Sequence, residues 1–551
     1  MTTSQGLHAT FDLLARTENE AASQVLVAAL DSPQPELAER ALAVLLKRRS
    51  LAGQHEVLRR VHQLDDRWRA ILHEHRGTMS QALRDALLSS DTQWCSNSCQ
   101  AILWFHEYDQ MPALVNVFED ETNPHAPLAA ATALKLAELF YHDLSGAHDF
   151  RPRRDPQLML RHLTETLEES VKRFGRHRRN EVVEAFLLLA NRDNLTLKQI
   201  LLDPHHASYL AVIEVLTRSR QPGVIRLLLS YLDDPQAPSA PLTAIAHRDD
   251  REFVEPFLRR IGSEPSAAVR RSLARIDQFA WLRPGQTVLD ELDEAAQHSA
   301  VELITASGMN RLAAFQTISH LVLHGKPAGR RAATKALAAF HGIEANQLAL
   351  KALEDEDPHV QALALGQLRE RGIPGAVSVL IERTESPQPV VQQAARESLS
   401  EFSFARYLSA FDMLDEQVRR STGILVRKID PQAVPLLREE LAAASRRRRI
   451  RALQIAETMF LVPQVEDDVI KLLHDEDHLV RLGAAKALAQ CSTAAAIEAL
   501  HEAEQDSSAT VREAAVQSLE RIGRLLASMR VQGTGVRVPE GSGFRVQGSE
   551  L

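Results

Sequence analysis

Two stretches near the C-terminal end repeat one pattern thirty-one residues apart, and this constrains the fold more than any other feature of the chain. The first, Leu473 to Leu488, reads LHDEDHLVRLGAAKAL. Leu472 and Leu473 close one helix, and Asp475-Glu476-Asp477 form a short acidic turn. A second helix follows, with Val480, Ala484, Ala487 and Leu488 spaced for one face. Asp477 stands where an N-cap carboxylate accepts from the free amides of the first turn. In the second stretch Asp506 takes the place of Asp475, Val511-Arg512 that of Val480-Arg481, Ala515 that of Ala484, and Leu519 that of Leu488. Such a unit is a helix pair that buries its apolar face only by stacking on a neighbour.

More or less worn copies of the unit run through most of the chain. Ala28 to Leu45 (AALDSPQPELAERALAVL) has a helix end, a turn, and a helix with Leu37, Ala41 and Leu45 in phase, with Pro33 and Pro35 as stop and start signals. The Ser-Pro-Gln-Pro turn returns at Ser386 to Pro389, followed by Val390-Val391, Ala394-Ala395 and Leu399. Asp355, Asp357, Pro358, Val360, Ala364 and Leu368 form another copy, and Val269-Arg270 follows a turn at Ser263-Glu264-Pro265. The step from Val391 to Val418 is shorter than the rest, so the register slips once there.

These markers divide the chain into degenerate repeats over 1–145, a loop over 146–157, middle repeats over 158–282, regular repeats of about 31 residues over 283–528, and a disordered Gly/Arg/Val-rich tail over 529–551. In that tail Arg530-Val531-Gln532-Gly533 returns as Arg545-Val546-Gln547-Gly548, a pattern compatible with an added strand and, more simply, with a flexible end. Leu51 to Leu144 is the most aromatic part, with Trp94, Trp104, Phe105, Phe118, Phe140 and Tyr141, which suit a bulkier core for irregular copies.

Composition agrees with stacked helices. The chain has 551 residues, 44% hydrophobic but only 5% aromatic, so small and aliphatic residues dominate its contacts. Lys and Arg total 64 against 73 Asp and Glu, a formal charge of -9, which argues against a chain devoted wholesale to nucleic acid or anionic membrane. Three cysteines make no disulfide framework, the opening MTTSQGLHATFDLL lacks signal-peptide character, and no apolar run reaches about 18 residues. The expectation is a cytoplasmic protein with no membrane segment.

The Asp turn, the Val-Arg opening of the second helix and the Ala-Ala…Ala-Leu face resemble HEAT repeats, especially the short HEAT-like repeats first associated with phycobilin lyases. The resemblance is specific at Leu473 to Leu488 and Asp506 to Leu519, good at Leu353 to Leu368 and Ser386 to Leu399, and weak before Ala300 except near Asp31 and Val269. It implies an all-α fold, a right-handed α-solenoid of stacked antiparallel helix pairs, and says little of chemistry because such arrays chiefly bind other macromolecules.

Asp475 with Arg481, and Asp506 with Arg512, suit turn acids and arginines that tie neighbouring units together. Cys95 and Cys99 share a helical face, with His106 beyond, yet no second cysteine pair exists and Cys491 is distant. His73-Glu74-His75 and His205-His206 lack metalloenzyme spacing. No phosphate loop, dinucleotide fingerprint, nucleophile elbow or kinase signature occurs, so neither an enzyme nor a bound cofactor or metal is expected.

Arginine clusters are the functional candidates. Arg446, Arg447, Arg448, Arg449 and Arg451 open one helix, a position the helix dipole disfavours for cations. Arg173, Arg176, Arg178 and Arg179 form a second group. The sequence is thus read as a non-enzymatic scaffold or adaptor whose arginines contact a protein partner, acidic in character. Two alternatives stand: an accessory subunit of a bilin-lyase-like modifying enzyme, and a solenoid that binds nucleic acid through its arginines.

Overall fold

The helix pair at Leu473 forms as its sequence dictates. Glu466–Leu472 ends at the acidic turn, and His478–Ala487 begins beyond it with the Asp477 carboxylate accepting from Leu479 N at 2.8 Å. Asp475 Oδ1 accepts from Asp477 N at 3.0 Å and so folds the turn itself. Asp506 does the same for Ser508 N at 2.7 Å, and Asp355 for Asp357 N at 2.8 Å. The computed structural model describes residues 3–75, 77–146, 155–282 and 288–532, and no strand occurs among them. Two compact units result, Met1–Ala336 and Leu337–Leu551.

The second unit is a stack of such pairs. Its second helices are Pro358–Leu365, Pro389–Ser398, Glu416–Ile429, Arg446–Thr458, His478–Ala487 and Ala509–Gln532. Each of the last four packs on the next, as do the first two. Three residues past the position of Arg481, the side chains Ala364, Ala395, Ala452, Ala484 and Ala515 form a column with no solvent exposure. Small residues there let neighbouring helices approach closely.

The slip after Val391 has a structural counterpart. In the pair beyond it the first helix, Phe404–Ala410, runs straight into the 3-10 turn Phe411–Met413, and its Tyr407 is buried. Tyr407 Oη donates to Arg419 O at 2.8 Å, and burial pushes its phenol up to about 12. In this copy Thr422 stands where the others keep alanine, Gly423 follows it, and a Cβ on Gly423 would stand 2.8 Å from Tyr407 Oη and 3.1 Å from Met459 Cγ. Asp430 closes the unit by accepting from Phe404 N at 2.7 Å.

The first unit begins with regular pairs, Ala21–Leu30 with Pro35–Arg48 and Ser80–Leu87 with Thr92–Phe105 among them. It then departs from simple pairing at Asn180–Leu189. That helix is packed by Ala126–Ser145, Pro156–Lys172, Tyr209–Arg218 and Pro222–Ser230, and Val182, Val183 and Ala185 to Leu188 are wholly buried. Gly223 makes this possible, because a Cβ there would stand 2.6 Å from Leu188 O and 3.0 Å from Tyr141 Cε2.

Two segment boundaries differ from the sequence expectation. Pro156 and Gln157, counted with the loop, begin the helix Pro156–Lys172, capped by Asp155, which accepts from Gln157 N at 3.0 Å. Residues 147–154 of that loop lie outside the described residues. Trp281, beside the division placed at 282, is buried within a short 3-10 turn, Ala280–Leu282. The last helix, Ala509–Gln532, continues past Arg530, where the tail was expected to have begun. Both repeats of the Arg-Val-Gln-Gly motif extend beyond it, into residues 533–551, outside the described residues.

Candidate functional site

The repeated arginine is a joint between units. Arg481 Nη1 donates backward to Asp475 O at 2.9 Å and Glu476 O at 3.2 Å, closing its own turn. Its Nε and Nη2 donate forward to Asp506 Oδ2 at 2.7 Å and Oδ1 at 3.1 Å, in the turn of the next unit. This bond holds the Asp506 carboxyl below its ordinary 3.8. Arg512 repeats the backward half, donating to Asp506 O at 2.6 Å and Ser507 O at 3.1 Å.

Where glutamine replaces arginine, only the backward half survives among these contacts. Gln361 Nε2 donates to Asp355 O at 2.6 Å, and Gln392 Nε2 to Ser386 O at 2.7 Å. The shorter side chain closes its own turn and lacks the second fork of donors. The unit-tying role expected of Arg481 therefore runs forward to Asp506, while its bond to Asp475 is to the backbone carbonyl.

This joint corrects the first arginine cluster. Arg449 occupies the position of Arg481 one unit earlier: its Nη1 donates to Ala443 O at 3.0 Å and Ala444 O at 2.9 Å, and its Nη2 to Asp475 Oδ1 at 3.1 Å. Its side chain is 11% exposed, so it is a buried joint with no surface to offer a partner. Arg448 forks onto Glu440, 2.9 and 2.7 Å from its two oxygens, and holds that carboxyl below the usual range. Arg446 lies 3.1 Å from Asp477, and Arg451 lies 3.7 Å from Asp412. These acids compensate the cations that the helix dipole disfavours. Arg447 is the open member, 89% exposed and 3.7 Å from Asp412.

The second group is dispersed. Arg173 forks onto Glu119, with Nε 3.0 Å from Oε2 and Nη2 2.9 Å from Oε1. Arg178 takes a left-handed backbone, φ 50°, and its amide donates to Phe174 O at 2.8 Å, so it ends the short helix Phe174–His177. Arg179 leads into Asn180–Leu189 and buries its Nε without a partner. Arg176 is exposed.

The cysteine and histidine candidates do not converge. Cys95, Cys99 and Cys491 are free and buried. Burial pushes the Cys491 thiol up to about 12. His106 turns instead to Asp143, 2.8 Å from Nδ1 to Oδ2, beside Tyr108, which hydrogen-bonds the same carboxylate. No group of three or more His, Cys, Asp or Glu suited to a metal occurs among the described residues. No helix among them is long and apolar enough to cross a membrane.

Sequence reasoning missed two arginines. Arg248 is buried at 1% exposure, donating through Nε and Nη2 to Asp250 at 2.9 and 2.8 Å and through Nη1 to Leu216 O at 3.2 Å. Arg60 forks onto Asp31, a turn acid 29 residues earlier, with both bonds at 3.0 Å. The Asp31 turn itself signalled a joint there; Arg248 carried no repeat signal.

Residues 316–400 and 431–520 match the family model of HEAT repeats. The sequence matches no curated protein. Among solved structures, one from work on a phosphorylation switch between cadherin and beta-catenin is 15% identical, covering 91% of this chain and 99% of that one, with a TM-score of 0.36. A full-length AP-3 complex homology model is 12% identical over 95% of each chain, with a TM-score of 0.30. Kap121p is 13% identical, over 96% of this chain and 58% of its own, with a TM-score of 0.27. Likeness at this level carries no argument about function.

Proposed function

We propose that this chain, a HEAT-repeat protein matched as such over residues 316–400 and 431–520, is a non-enzymatic scaffold or adaptor that holds protein partners along the exposed faces of its second helices. One observation carries the reading. Three residues past the joint position the stack keeps buried alanine in five copies out of six. Five residues past it the side chains are exposed and differ in kind: Glu397, Ile424, Gln454, Lys486 and Gln517. The stack fixes the buried column and leaves the exposed one free to vary, which suits recognition spread over several units.

Arg446 and Arg447 remain the charged contacts we assign to this face, for an acidic protein partner. A nucleic-acid ligand would need many unpaired cations tracking a backbone, and most of this cluster is already spent on Glu440, Asp412, Asp475 and Asp477. A cytoplasmic setting fits three free, buried cysteines. Affinity purification with the full chain, followed by hydrogen exchange of the recovered complex, tests the proposal. Protection of the helices Glu416–Ile429, Arg446–Thr458 and His478–Ala487 is expected; a complex that protects none of the second helices would overturn it.

A further inference from the structure

Between the helices Pro222–Ser230 and Arg251–Ile261 of the first unit lies a groove of about 800 Å³, within the size range of sites that take a few side chains or a small ligand (about 300–1,000 Å³). Its apolar lining includes Pro222, Ile225, Leu229 and Pro256. Pro256 sits inside its helix and lacks the N–H that would close on the carbonyl of Glu252, which also lines the groove.

The charges around this floor are unequal in how they are spent. Asp233 pairs with Arg260, Glu252 lies 3.7 Å from Arg220, and Glu255 lies 2.6 Å from Arg251. Arg226 lies over the Tyr141 ring, 5.8 Å from its centroid, and donates to Ala190 O at 3.1 Å. Arg259 is exposed at the groove, and no acid of the described residues forms an ion pair with it. The acids are neutralised by neighbours, and the charge left open is positive.

We infer that this groove docks a short segment of a protein partner that carries apolar side chains beside a carboxylate, the apolar groups covering Ile225 and Leu229 and the carboxylate meeting Arg259. The inference rests on the protein-binding reading above and assigns it a place and a chemistry. Burying the carboxylate against a guanidinium gives a charge-assisted contact, and the apolar floor supplies the non-directional part of the affinity.

The test titrates three labelled synthetic peptides against the full chain, with methyl spectra of its Ile and Leu residues. One peptide is an amphipathic leucine–glutamate helix, one has lysine for glutamate, and one has alanine for leucine. The leucine–glutamate peptide is expected to bind tightest and to shift the Ile225 and Leu229 methyls. Arg259→Glu, an exposed change, should weaken it by about tenfold or more. Arg67→Ala, another exposed arginine of the first unit, should leave it unchanged.

Equal binding of the lysine peptide, unaltered affinity in Arg259→Glu, shifts confined to other methyls, or no binding would each overturn the inference. Such a result, alongside partner protection on the second helices, would leave the scaffold reading standing and remove only the groove.

Discussion

Arg481 and Asp506 are 25 residues apart in the chain and joined by two hydrogen bonds, 2.7 and 3.1 Å, with both side chains largely shielded from water. The same guanidinium holds the carbonyls of Asp475 and Glu476. One side chain thus closes its own turn and fixes the distance to the next unit. Alanine at position 481 would strand a shielded carboxylate and unclose a turn, at a cost of about 1–3 kcal/mol. A lower urea midpoint for the second unit is expected in Arg481→Ala, with partial recovery in Arg481→Lys. Wild-type stability in the alanine variant would refute the joint.

The same bond makes stability depend on acid. Arg481 lowers the Asp506 carboxyl below its ordinary 3.8 in the folded state, so the unfolded chain takes up the proton more readily. Its contribution is present above that ordinary value and is lost as pH falls through the lower folded value. Asp506→Asn should therefore cost stability at neutral pH and narrow its gap to wild type below about pH 4. Unfolding followed by circular dichroism across this range measures the gap; a constant gap would mean that the carboxylate is not the acting group.

The arginines at 446 to 449 should separate into joint and surface. Arg449→Ala breaks a shielded pair with Asp475 of the same kind as Arg481 with Asp506, and a loss of about 1–3 kcal/mol is the scale for such a break. Arg447→Ala, at an exposed position, should stay within about 0.5 kcal/mol of wild type. Thermal melts of the two variants side by side decide this, and equal effects would contradict the division.

Gly423 is held small by Tyr407. A methyl group there meets the Tyr407 hydroxyl at 2.8 Å, so Gly423→Ala should destabilise by about 1–3 kcal/mol, as overpacking does. Tyr407→Phe removes the clashing oxygen together with its bond to Arg419 O. A double-mutant cycle is expected to show the two losses to be less than additive. Strict additivity would place the strain elsewhere, at Met459.

The sequence by itself determined the repeat unit, its acidic turn, the Asp477 cap and the buried small-residue face, because each is encoded within one turn of helix or by recurrence. It also showed the slip after Val391, though not that the next first helix runs straight into a 3-10 turn and buries Tyr407. Only the tertiary structure decided which acid each arginine meets. Arg481 reaches Asp506 and Arg449 reaches Asp475 because stacking brings the turns of consecutive units together, and local spacing says nothing of that offset. For the same reason Arg446 to Arg449 look uniform as a string and divide, once folded, into a buried joint, a paired rim and one open charge. Arg259 shows the converse: its neighbour Arg260 pairs with Asp233, and Arg259 is left as the open charge of a groove.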